Sequence, residues 1–279
     1  MERAFREDLG AADLTTIYTV PPGAEGVGRL IAKEEGIIAG LPAAEAAFRY
    51  LDANVLCNSF IEDGARITEG QIVMTVSGPL QPLLSAERVA LNILQRLSGI
   101  ATKTALWASE IAAYPARITD TRKTTPGLRV LEKYAVRIGG GLNHRLALDG
   151  GILIKENHIL AGGGISAAVN AVRSQAPFTL RVEVEVTTIE ELEEALSAGV
   201  EIIMLDNMDL ETMRRAVKIT AGRALLEASG NITLQRLKDI AATGVDLISC
   251  GALTHSCRAL DFTFLLLPGA AAKNSDGAQ

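Results

Sequence analysis

Six short apolar runs, separated by five segments with helical periodicity, occupy residues 116–248. The runs cover 116–119, 151–154, 180–186, 201–205, 224–226 and 245–248. The helical segments cover 128–138, 165–175, 188–198, 209–221 and 233–243. Strands that alternate with helices predict a parallel α/β sheet or barrel. Because a closed barrel of this kind has eight strands, six runs predict an incomplete, open barrel of the TIM type.

Polar residues stand at the end of every one of these predicted strands. They are Thr121-Arg122-Lys123, Lys155, Glu185, Asp206, Glu227-Ala228-Ser229 and Ser249-Cys250-Gly251. Residues 185, 206 and 227 are spaced at 21 residues, the length of one strand–helix unit. The chemistry of α/β barrels lies at the C-terminal ends of the strands, so all six sets are expected to face one mouth. One or two polar ends occur in any sheet, whereas six in the same position favour a functional site.

The stretch from Arg117 to His158 is cationic in an acidic protein. Its eight Lys or Arg and four Asp or Glu give a local charge of +4, whereas the whole chain carries −6. A cleft of one sign attracts a small anion of the other. Arg129, Lys133 and Arg137 recur every four residues, which we interpret as a solvated stripe on a helix. The glycines at 139–141 either end that helix or turn the following residues inward.

Two carboxylates and two glycine-containing loops extend the predicted mouth. Glu183 and Glu185 share one face of a strand, since side chains alternate with period two. Glu185 and Asp206 suit Mg²⁺ with substrate phosphates, or the hydroxyls and developing charge of a sugar. A structural pair of Glu185 with Lys155 or Lys123 is the open alternative. Residues 229–231 and 251–252 follow late strands, where backbone amides of barrels bind phosphate.

Composition excludes several other classes of function. Net charge of −6 and an aromatic content of 4% argue against nucleic-acid binding. No apolar run approaches the roughly 20 residues of a membrane span, and the first ten residues lack the apolar core of a signal peptide. The three cysteines lack C-x-x-C spacing, which predicts reduced thiols in a cytoplasmic protein without zinc. Nucleophile-elbow, P-loop and H-E-x-x-H motifs are missing from the sequence.

Residues 1–114 predict a separate N-terminal α/β domain. They contain a short helix at 1–10, short strands within 27–40 and 59–78, and a long helix at 84–113. The apolar run 261–267 is expected to return to this domain, and the barrel is expected to span 115–260. The tail 268–279, rich in Gly, Ala, Asn and Ser, is predicted to be disordered.

Seven motifs in order resemble the quinolinate phosphoribosyltransferase family, also called carboxylating nicotinate-nucleotide pyrophosphorylase. They are DTRKTTPGLR (120–129), GGGLNHR (139–145), LIKENH (153–158), VEVE (182–185), IIMLDN (202–207), EASGN (227–231) and GALTHS (251–256). The resemblance implies an N-terminal α/β sandwich domain and an open α/β barrel. It also implies a homodimer, or a higher assembly of dimers, in which the N-terminal domain of one subunit covers the barrel of the other. The implied reaction joins quinolinate to phosphoribosyl pyrophosphate with Mg²⁺, giving nicotinate mononucleotide, pyrophosphate and CO₂.

The resemblance also implies roles for individual residues. The expected quinolinate site is Arg122, His144, Arg145 and Lys155, with Lys123 between the two substrates. Arg88, in SAERVALN, matches the arginine donated across the dimer. The expected ribose and Mg²⁺ side is Glu185 and Asp206, and the 5-phosphate loops are Ser229, Gly230, Gly251 and Ala252. Thr121 and Asn231 adjoin these positions and complete the predicted substrate-binding set; Lys123, Glu185 and Asp206 are the catalytic candidates.

Three other readings remain open at this point. One is a phosphoribosyltransferase for another acidic ring such as nicotinate, whose single carboxylate would leave part of the cationic set unused. Another is a non-catalytic protein that binds a pyridine carboxylate. The third is a lyase or aldolase in which Lys155 forms a Schiff base.

Overall fold

The computed structural model describes residues 1–268. Except for Pro268, the predicted disordered tail therefore lies outside the described residues. The chain divides into two compact units, one formed by 1–102 with the segment from 257 onward and the other by 103–256. Both changes of unit fall earlier in the chain than the predicted domain limits after 114 and 260.

The helices and strands are as follows. Helices are α1 Glu2–Leu9, α2 Leu14–Thr19, α3 Leu41–Leu51, α4 Leu80–Glu110, α5 Arg129–Ile138, α6 Glu156–Gly162, α7 Ile165–Gln175, α8 Ile189–Ser197, α9 Leu210–Thr220, α10 Leu237–Ala241 and α11 Ala252–His255, with a 3₁₀ turn at Leu234–Arg236. Strands are β1 Glu25–Ala32, β2 Gly36–Ile37, β3 Leu56–Ser59, β4 Arg66–Ile67, β5 Ile72–Pro79, β6 Arg117–Thr119, β7 Ile152–Ile154, β8 Val182–Val186, β9 Ile202–Asp206, β10 Leu225–Ser229, β11 Leu247–Ser249 and β12 Phe262–Leu266.

The first unit is built on an antiparallel sheet in the order β12-β1-β5-β3. Side chains of β1 alternate between buried and more accessible positions, as expected when one face of a strand covers a core. Phe48 of α3, Leu83 of α4 and Met74 of β5 are fully buried in that core. The run 261–267 contains β12, which pairs antiparallel with β1. This unit therefore takes strands from both ends of the described chain.

The second unit contains a six-stranded sheet in the order β6-β11-β10-β9-β8-β7. Every neighbouring pair in it is parallel. The first strand, β6, pairs with the last, β11, as in a barrel, but β6 and β7 remain as two edges within the described residues. The prediction of an open, incomplete parallel barrel and a separate α/β N-terminal domain is confirmed.

Local signals explain why the helices of this unit form where they do. Thr188 caps α8 in a reciprocal capping box with Glu191, and Asp209 caps α9 through the backbone N–H of Thr212. The buried residues of α8 recur at helical spacing: Ile189, Leu192, Ala195 and Leu196. Two short helices, α6 and α11, were not predicted, because seven and four residues are too few to show periodicity.

The register of the parallel strands brings their C-terminal ends to one edge. Ile154 pairs with Val184, so Lys155 and Glu185 follow at the same level. Asp206 pairs directly with Ser229 on the next strand. Ser249 pairs with Thr119 at the other side of the sheet. The strand-end residues therefore share one rim, as the sequence predicts. Among residues 1–268, none of the helices has the length and apolar character to cross a membrane.

Candidate active site

Lys133 and Asp120 form a buried ion pair behind the end of β6. Asp120 is completely buried and Lys133 almost so, and the Lys133 ammonium donates to a carboxylate oxygen of Asp120. Burial raises the pKa of Asp120 and lowers that of Lys133, while their mutual attraction opposes both shifts. The prediction that Lys133 belongs to a solvated stripe is wrong. Helical spacing gives the face of a side chain but cannot show that a carboxylate from a preceding strand lies beneath it.

The segment that contains the predicted substrate residues His144 and Arg145 lies against the free edge of β6. Leu142 forms an isolated parallel bridge with Thr119, and its backbone N–H donates to Ile118 O at 2.8 Å. Asp120 then anchors the next residues: it accepts from the Asn143 amide at 2.6 Å and from the His144 backbone N–H at 2.9 Å. The glycines at 139–141 allow the chain to leave α5 and return to this edge.

The imidazole of His144 is held at both ring nitrogens. Nδ1 accepts the backbone N–H of Arg145 at 2.8 Å. Nε2 lies 3.0 Å from a carboxylate oxygen of Glu183 and 3.9 Å from one of Glu227. Burial lowers the pKa of His144, whereas the hydrogen bond to Glu183 and the charge of Glu227 raise it and have the larger combined effect. The ring is thus part of a buried group with two carboxyls.

Glu183 of β8 and Glu227 of β10 point into the sheet interior and are both buried. One oxygen of each carboxyl, Oε1, has no hydrogen-bond partner within the described residues. Burial and the charge of Glu183 raise the pKa of Glu227 to about 7. A cavity of about 340 Å³ borders His144, Arg145, Glu183 and Glu227. One ligand atom from each of His144, Glu183 and Glu227 lies within 4.8 Å of the others, a spacing that could hold a metal ion.

Arg145 and Arg122 bring two guanidinium groups into the same neighbourhood. Arg145 is partly buried, and its Nη1 donates to Gly151 O at 2.9 Å, whereas its buried Nε has no partner within the described residues. Burial and the positive charge of Arg122 lower the pKa of Arg145. Arg122 itself is exposed. The Arg129 side chain supports this region by donating to Thr124 Oγ1 at 2.9 Å and to Leu146 O at 3.3 Å.

Lys155 and Glu185 form an ion pair at the ends of β7 and β8. The Glu185 side chain is largely buried, at 16% exposure, and that of Lys155 is 46% exposed. Glu185 therefore has the cationic partner that a carboxylate inside a sheet requires. The backbone N–H of Lys155 donates to His158 Nδ1 at 3.0 Å, which fixes the start of α6. The Lys155–Glu185 pair is the structural alternative that the sequence left open, and it leaves both groups at the rim.

Asn207 connects Asp206 to the glycine loop after β10. Its amide nitrogen donates to Asp206 at 2.8 Å, and its oxygen accepts from the Asn231 side chain at 3.0 Å. Asn207 and Asn231 both adopt positive φ angles, of 54° and 49°. Gly230 also has a positive φ, and a Cβ there would lie 2.2 Å from the Asn207 amide oxygen. Ser229, Gly230 and Asn231 are therefore fixed beside Asp206.

The loop at Gly251 lies against Lys123. A Cβ at residue 251 would lie 3.0 Å from the Lys123 side chain and 3.2 Å from the His255 ring. Thr254 Oγ1 donates to Lys123 O at 2.7 Å, and Ala252 O accepts from Lys103 at 2.8 Å. The structure thus joins the end of β6 to the loop after β11. His255 contacts Ser256 rather than either of the predicted acids.

Two further predicted residues have different settings. Thr121 is half-buried, and its hydroxyl accepts the backbone N–H of Lys123 at 3.0 Å. Arg88 belongs to α4 in the first unit, where it is exposed and lies 4.0 Å from Glu87. In the second unit, the structure brings together all the other predicted substrate residues at the sheet's C-terminal rim or its edge. Their roles remain predictions.

Six residues that contact and support the predicted site residues were not predicted from the sequence. They are Asp120, Lys133, Asn143, Glu183, Asn207 and Glu227. Two signals were available in the sequence. Period two already placed Glu183 on the same face as Glu185, and Glu227 directly follows the apolar run 224–226. Their partners could not be inferred, since the contacts join segments that are far apart in the chain.

Comparison with known proteins covers almost the whole chain. The model of the quinolinate phosphoribosyl transferase C-terminal domain matches residues 100–265, and that of the N-terminal domain matches residues 13–98. The chain belongs to the quinolinate phosphoribosyltransferase family. It is 48% identical over 255 residues to the "Probable nicotinate-nucleotide pyrophosphorylase (carboxylating)" of Synechocystis sp., covering 90% of this chain and 86% of that protein.

Other members of the quinolinate phosphoribosyltransferase family agree in sequence and in fold. The nicotinate-nucleotide pyrophosphorylase (carboxylating) of Mycobacterium leprae is 45% identical over 269 residues, with 94% of each chain covered. The crystal structure of NadC from Streptococcus pyogenes superposes with a TM-score of 0.91 at 43% identity and covers 95% of each chain. The resemblance read from seven motifs is therefore confirmed at the level of the family.

Proposed function

We propose that this protein transfers the phosphoribosyl group of phosphoribosyl pyrophosphate to quinolinate with loss of CO₂. The products are nicotinate mononucleotide and pyrophosphate, a reaction of de novo NAD biosynthesis. The observation that carries the proposal is the single rim on which cationic and acidic side chains meet. Lys155 lies on it together with Glu185 and Asp206, and Arg145 belongs to the segment that lies against the adjoining edge of β6.

The cationic residues suit a substrate with two adjacent ring carboxylates. Guanidinium groups make planar, bidentate contacts with carboxylates, so Arg122 and Arg145 provide two clamps. The lowered pKa of Arg145 arises from burial and from Arg122, a mutual repulsion that a dianion between them would relieve. Lys155 adds a third cation at the next strand end. His144 stays in the proposed quinolinate set beside Arg145, although its ring nitrogens already have partners within the protein.

The acidic residues suit the ribose side of the reaction. Departure of pyrophosphate leaves positive charge on the sugar carbon, which a preorganised carboxylate from Glu185 or Asp206 stabilises. The loop at 229–231 lies beside Asp206, and the loop at 251–252 lies beside Lys123. In this proposal the two loops bind the 5-phosphate. The oxygen donors of Glu185 and Asp206 also fit Mg²⁺, which prefers few carboxylates together with substrate phosphates. When bound, Mg²⁺ would neutralise charge on the pyrophosphate.

Loss of CO₂ from the ring needs no side-chain nucleophile. The electron pair left at the ring carbon lies next to the ring nitrogen, and the neighbouring cations stabilise it electrostatically. The proton that replaces CO₂ comes from solvent or from an acid at the rim. Lys123, which lies beside the Gly251 loop, is placed between the two substrates in this proposal.

A homodimer with shared active sites completes the proposal. Arg88 is exposed on α4 and is the residue expected to reach the site of the partner subunit. A cytoplasmic location is supported by Cys57, Cys250 and Cys257, which form no disulfide within the described residues. Neither nucleic acid nor a membrane is part of the proposed set of partners.

The test supplies purified protein with Mg²⁺, phosphoribosyl pyrophosphate and ring-labelled quinolinate or nicotinate. Quinolinate is expected to give labelled nicotinate mononucleotide with one CO₂ per turnover. Consumption of nicotinate but not of quinolinate would contradict the proposed reaction and would support a phosphoribosyltransferase specific for nicotinate. Tight quinolinate binding without turnover would support the non-catalytic reading, and borohydride trapping of a substrate carbonyl on Lys155 would support the Schiff-base reading.

A further inference from the structure

Glu183 has no role in the proposed reaction, yet it is buried against a residue of the quinolinate set. It lies two positions before Glu185 on β8 and is 5% exposed. One of its oxygens lies 3.0 Å from His144 Nε2, within hydrogen-bonding distance. A buried carboxylate requires such a partner, because removing it from water is costly. The role of the Glu183 carboxylate depends on where the His144 ring carries its proton.

The hydrogen bond at Nδ1, the other ring nitrogen, determines the tautomer of His144. The backbone N–H of Arg145 points at Nδ1 from 2.8 Å, so Nδ1 must offer its lone pair. The single proton of a neutral ring then lies on Nε2, where it is donated to Glu183. A second proton would have to lie on Nδ1 and would break the bond to Arg145. The nearby ammonium of Lys133, which donates to the backbone oxygen of His144 at 2.9 Å, opposes a second proton on the ring, although Glu183 and Glu227 raise the pKa of His144 overall.

This geometry also argues against a metal ion at His144, Glu183 and Glu227. A histidine that binds a metal through one nitrogen normally donates the proton of the other to an acceptor. Here the other nitrogen faces a donor. A metal on Nε2 would therefore require the ring to lose both protons, so a hydrogen bond from Nε2 to Glu183 is the better account.

We propose that Glu183 is a positioning residue: its carboxylate holds His144 as the neutral Nε2–H tautomer, and the ring in turn fixes the backbone from which Arg145 extends. The inference rests on the proposed function, because it assigns Glu183 to the quinolinate side of that site. The charge of Glu183 acts on the Arg145 guanidinium, whose Nη1 is fixed to Gly151 O. Loss of Glu183 releases the ring and then the backbone N–H at residue 145.

The first test reads the tautomer directly, without substrate. The chain contains three histidines, so a nitrogen-15 histidine label gives three ring patterns in a two-bond proton–nitrogen spectrum. His158→Gln and His255→Gln assign the other two rings. The spectra are recorded from pH 6 to pH 9, because the pKa of His144 is raised. At the alkaline end, where the ring is neutral, we expect His144 in wild type and in Glu183→Gln to show the Nε2–H pattern, because a glutamine oxygen also accepts from Nε2. In Glu183→Ala, we expect averaged tautomers.

The second test separates positioning from folding. Glu183→Ala is expected to raise the quinolinate KM about tenfold, because removing a residue that orients a binding group typically has an effect of this size. The phosphoribosyl pyrophosphate KM is expected to stay within about twofold of the wild-type value. Glu183→Gln is expected to stay within about threefold of wild type. Glu201→Gln is the matched control: Glu201 accepts the backbone N–H of Val182 on the same strand but does not contact His144.

Several results would overturn the inference. They are a neutral His144 ring with its proton on Nδ1 in wild type, one tightly bound metal per chain that is lost in Glu183→Ala, or a quinolinate KM unchanged in a folded Glu183→Ala. Absence of any quinolinate turnover in wild type would instead contradict the proposed function, and the spectrum would still report on the His144–Glu183 bond. If Glu183→Ala does not fold, the test rests on Glu183→Gln. Loss of the Nε2–H pattern in that variant would contradict the proposed tautomer of His144.

Discussion

At the scale of single residues, Asn207 is a junction between two parts of the proposed phosphoribosyl site. It reaches Asp206 on one side and Asn231 on the other, and Gly230 has no room for a side chain beside it. Its positive φ of 54° is a conformation that Asn tolerates better than most residues do. The sequence contains IIMLDN as a motif, but only the folded chain shows what the asparagine connects.

Replacing Asn207 by glycine keeps the positive φ and removes both side-chain hydrogen bonds. We expect the phosphoribosyl pyrophosphate KM to rise about five- to twentyfold, since the bond to the Asp206 carboxylate contributes about 1.5–3 kcal/mol at most and the neutral bond to Asn231 about 0.5–1.5 kcal/mol. The quinolinate KM should change less than about twofold in steady-state assays. Ala221→Gly, at another positive φ outside the site, is the control for backbone effects. Equal changes in both KM values would show that Asn207 acts on the whole rim.

Glu227 gives wild-type stability a pH dependence of known sign. Its folded pKa of about 7 exceeds the ordinary value of 4.5, so the folded state binds its proton more tightly than the unfolded state does. The stabilisation is complete below pH 4.5 and is lost as the pH rises through 7. We therefore expect the melting temperature of wild type, relative to that of Glu227→Gln, to fall between pH 5 and pH 8. A constant difference in differential scanning calorimetry across that range would contradict this assignment.

At the scale of elements, α5 is joined to the end of β6 by charge as well as by packing. Asp120 accepts hydrogen bonds from Lys133, Asn143 and the His144 backbone, so one carboxylate joins the end of β6 to two segments, α5 and the chain at 143–144. Both members of the ion pair are removed from water. Replacing one partner of such a pair is strongly destabilising, because the other charge remains buried and unpaired.

We expect Asp120→Asn to lower the free energy of unfolding by about 3–5 kcal/mol, measured by urea titration. Adding Lys133→Met should recover part of that loss, since the unpaired ammonium is then removed. The control is Arg6→Ala in the exposed pair with Glu2, where a loss below about 1 kcal/mol is expected. Additive effects of Asp120→Asn and Lys133→Met would mean that the pair is not coupled in the folded protein.

At the scale of the whole molecule, the proposed site needs Arg88 from a second copy of the chain. Arg88→Ala and Lys155→Ala are each expected to be inactive alone. In a homodimer with shared sites, a mixed dimer has one intact site, because one chain supplies Arg88 and the other supplies Lys155. Unfolding and refolding an equal mixture should restore about a quarter of wild-type activity, since about half of the dimers are mixed. No recovery would place both residues in sites of one chain.

The pattern of the sequence determined the alternation of strands and helices, the open six-stranded sheet and the common rim of polar strand ends. Each of these depends on local periodicity and on spacing, which are properties of neighbouring residues. Lys155, Glu185 and Asp206 could be named for the same reason, whereas the role of Arg145 rested on the resemblance of GGGLNHR to the family motif. The short helices α6 and α11 carry too few residues to be read this way.

Tertiary structure alone decided which side chains meet. Lys133 has the spacing of an exposed stripe but is buried on Asp120, and Glu183 binds a histidine 39 positions before it in the chain. Such pairings depend on the distance between segments that the sheet brings together, and no periodicity encodes that distance. The cost of burying a charge then selects the partner, because a carboxylate inside the protein must find a donor wherever the fold has placed one.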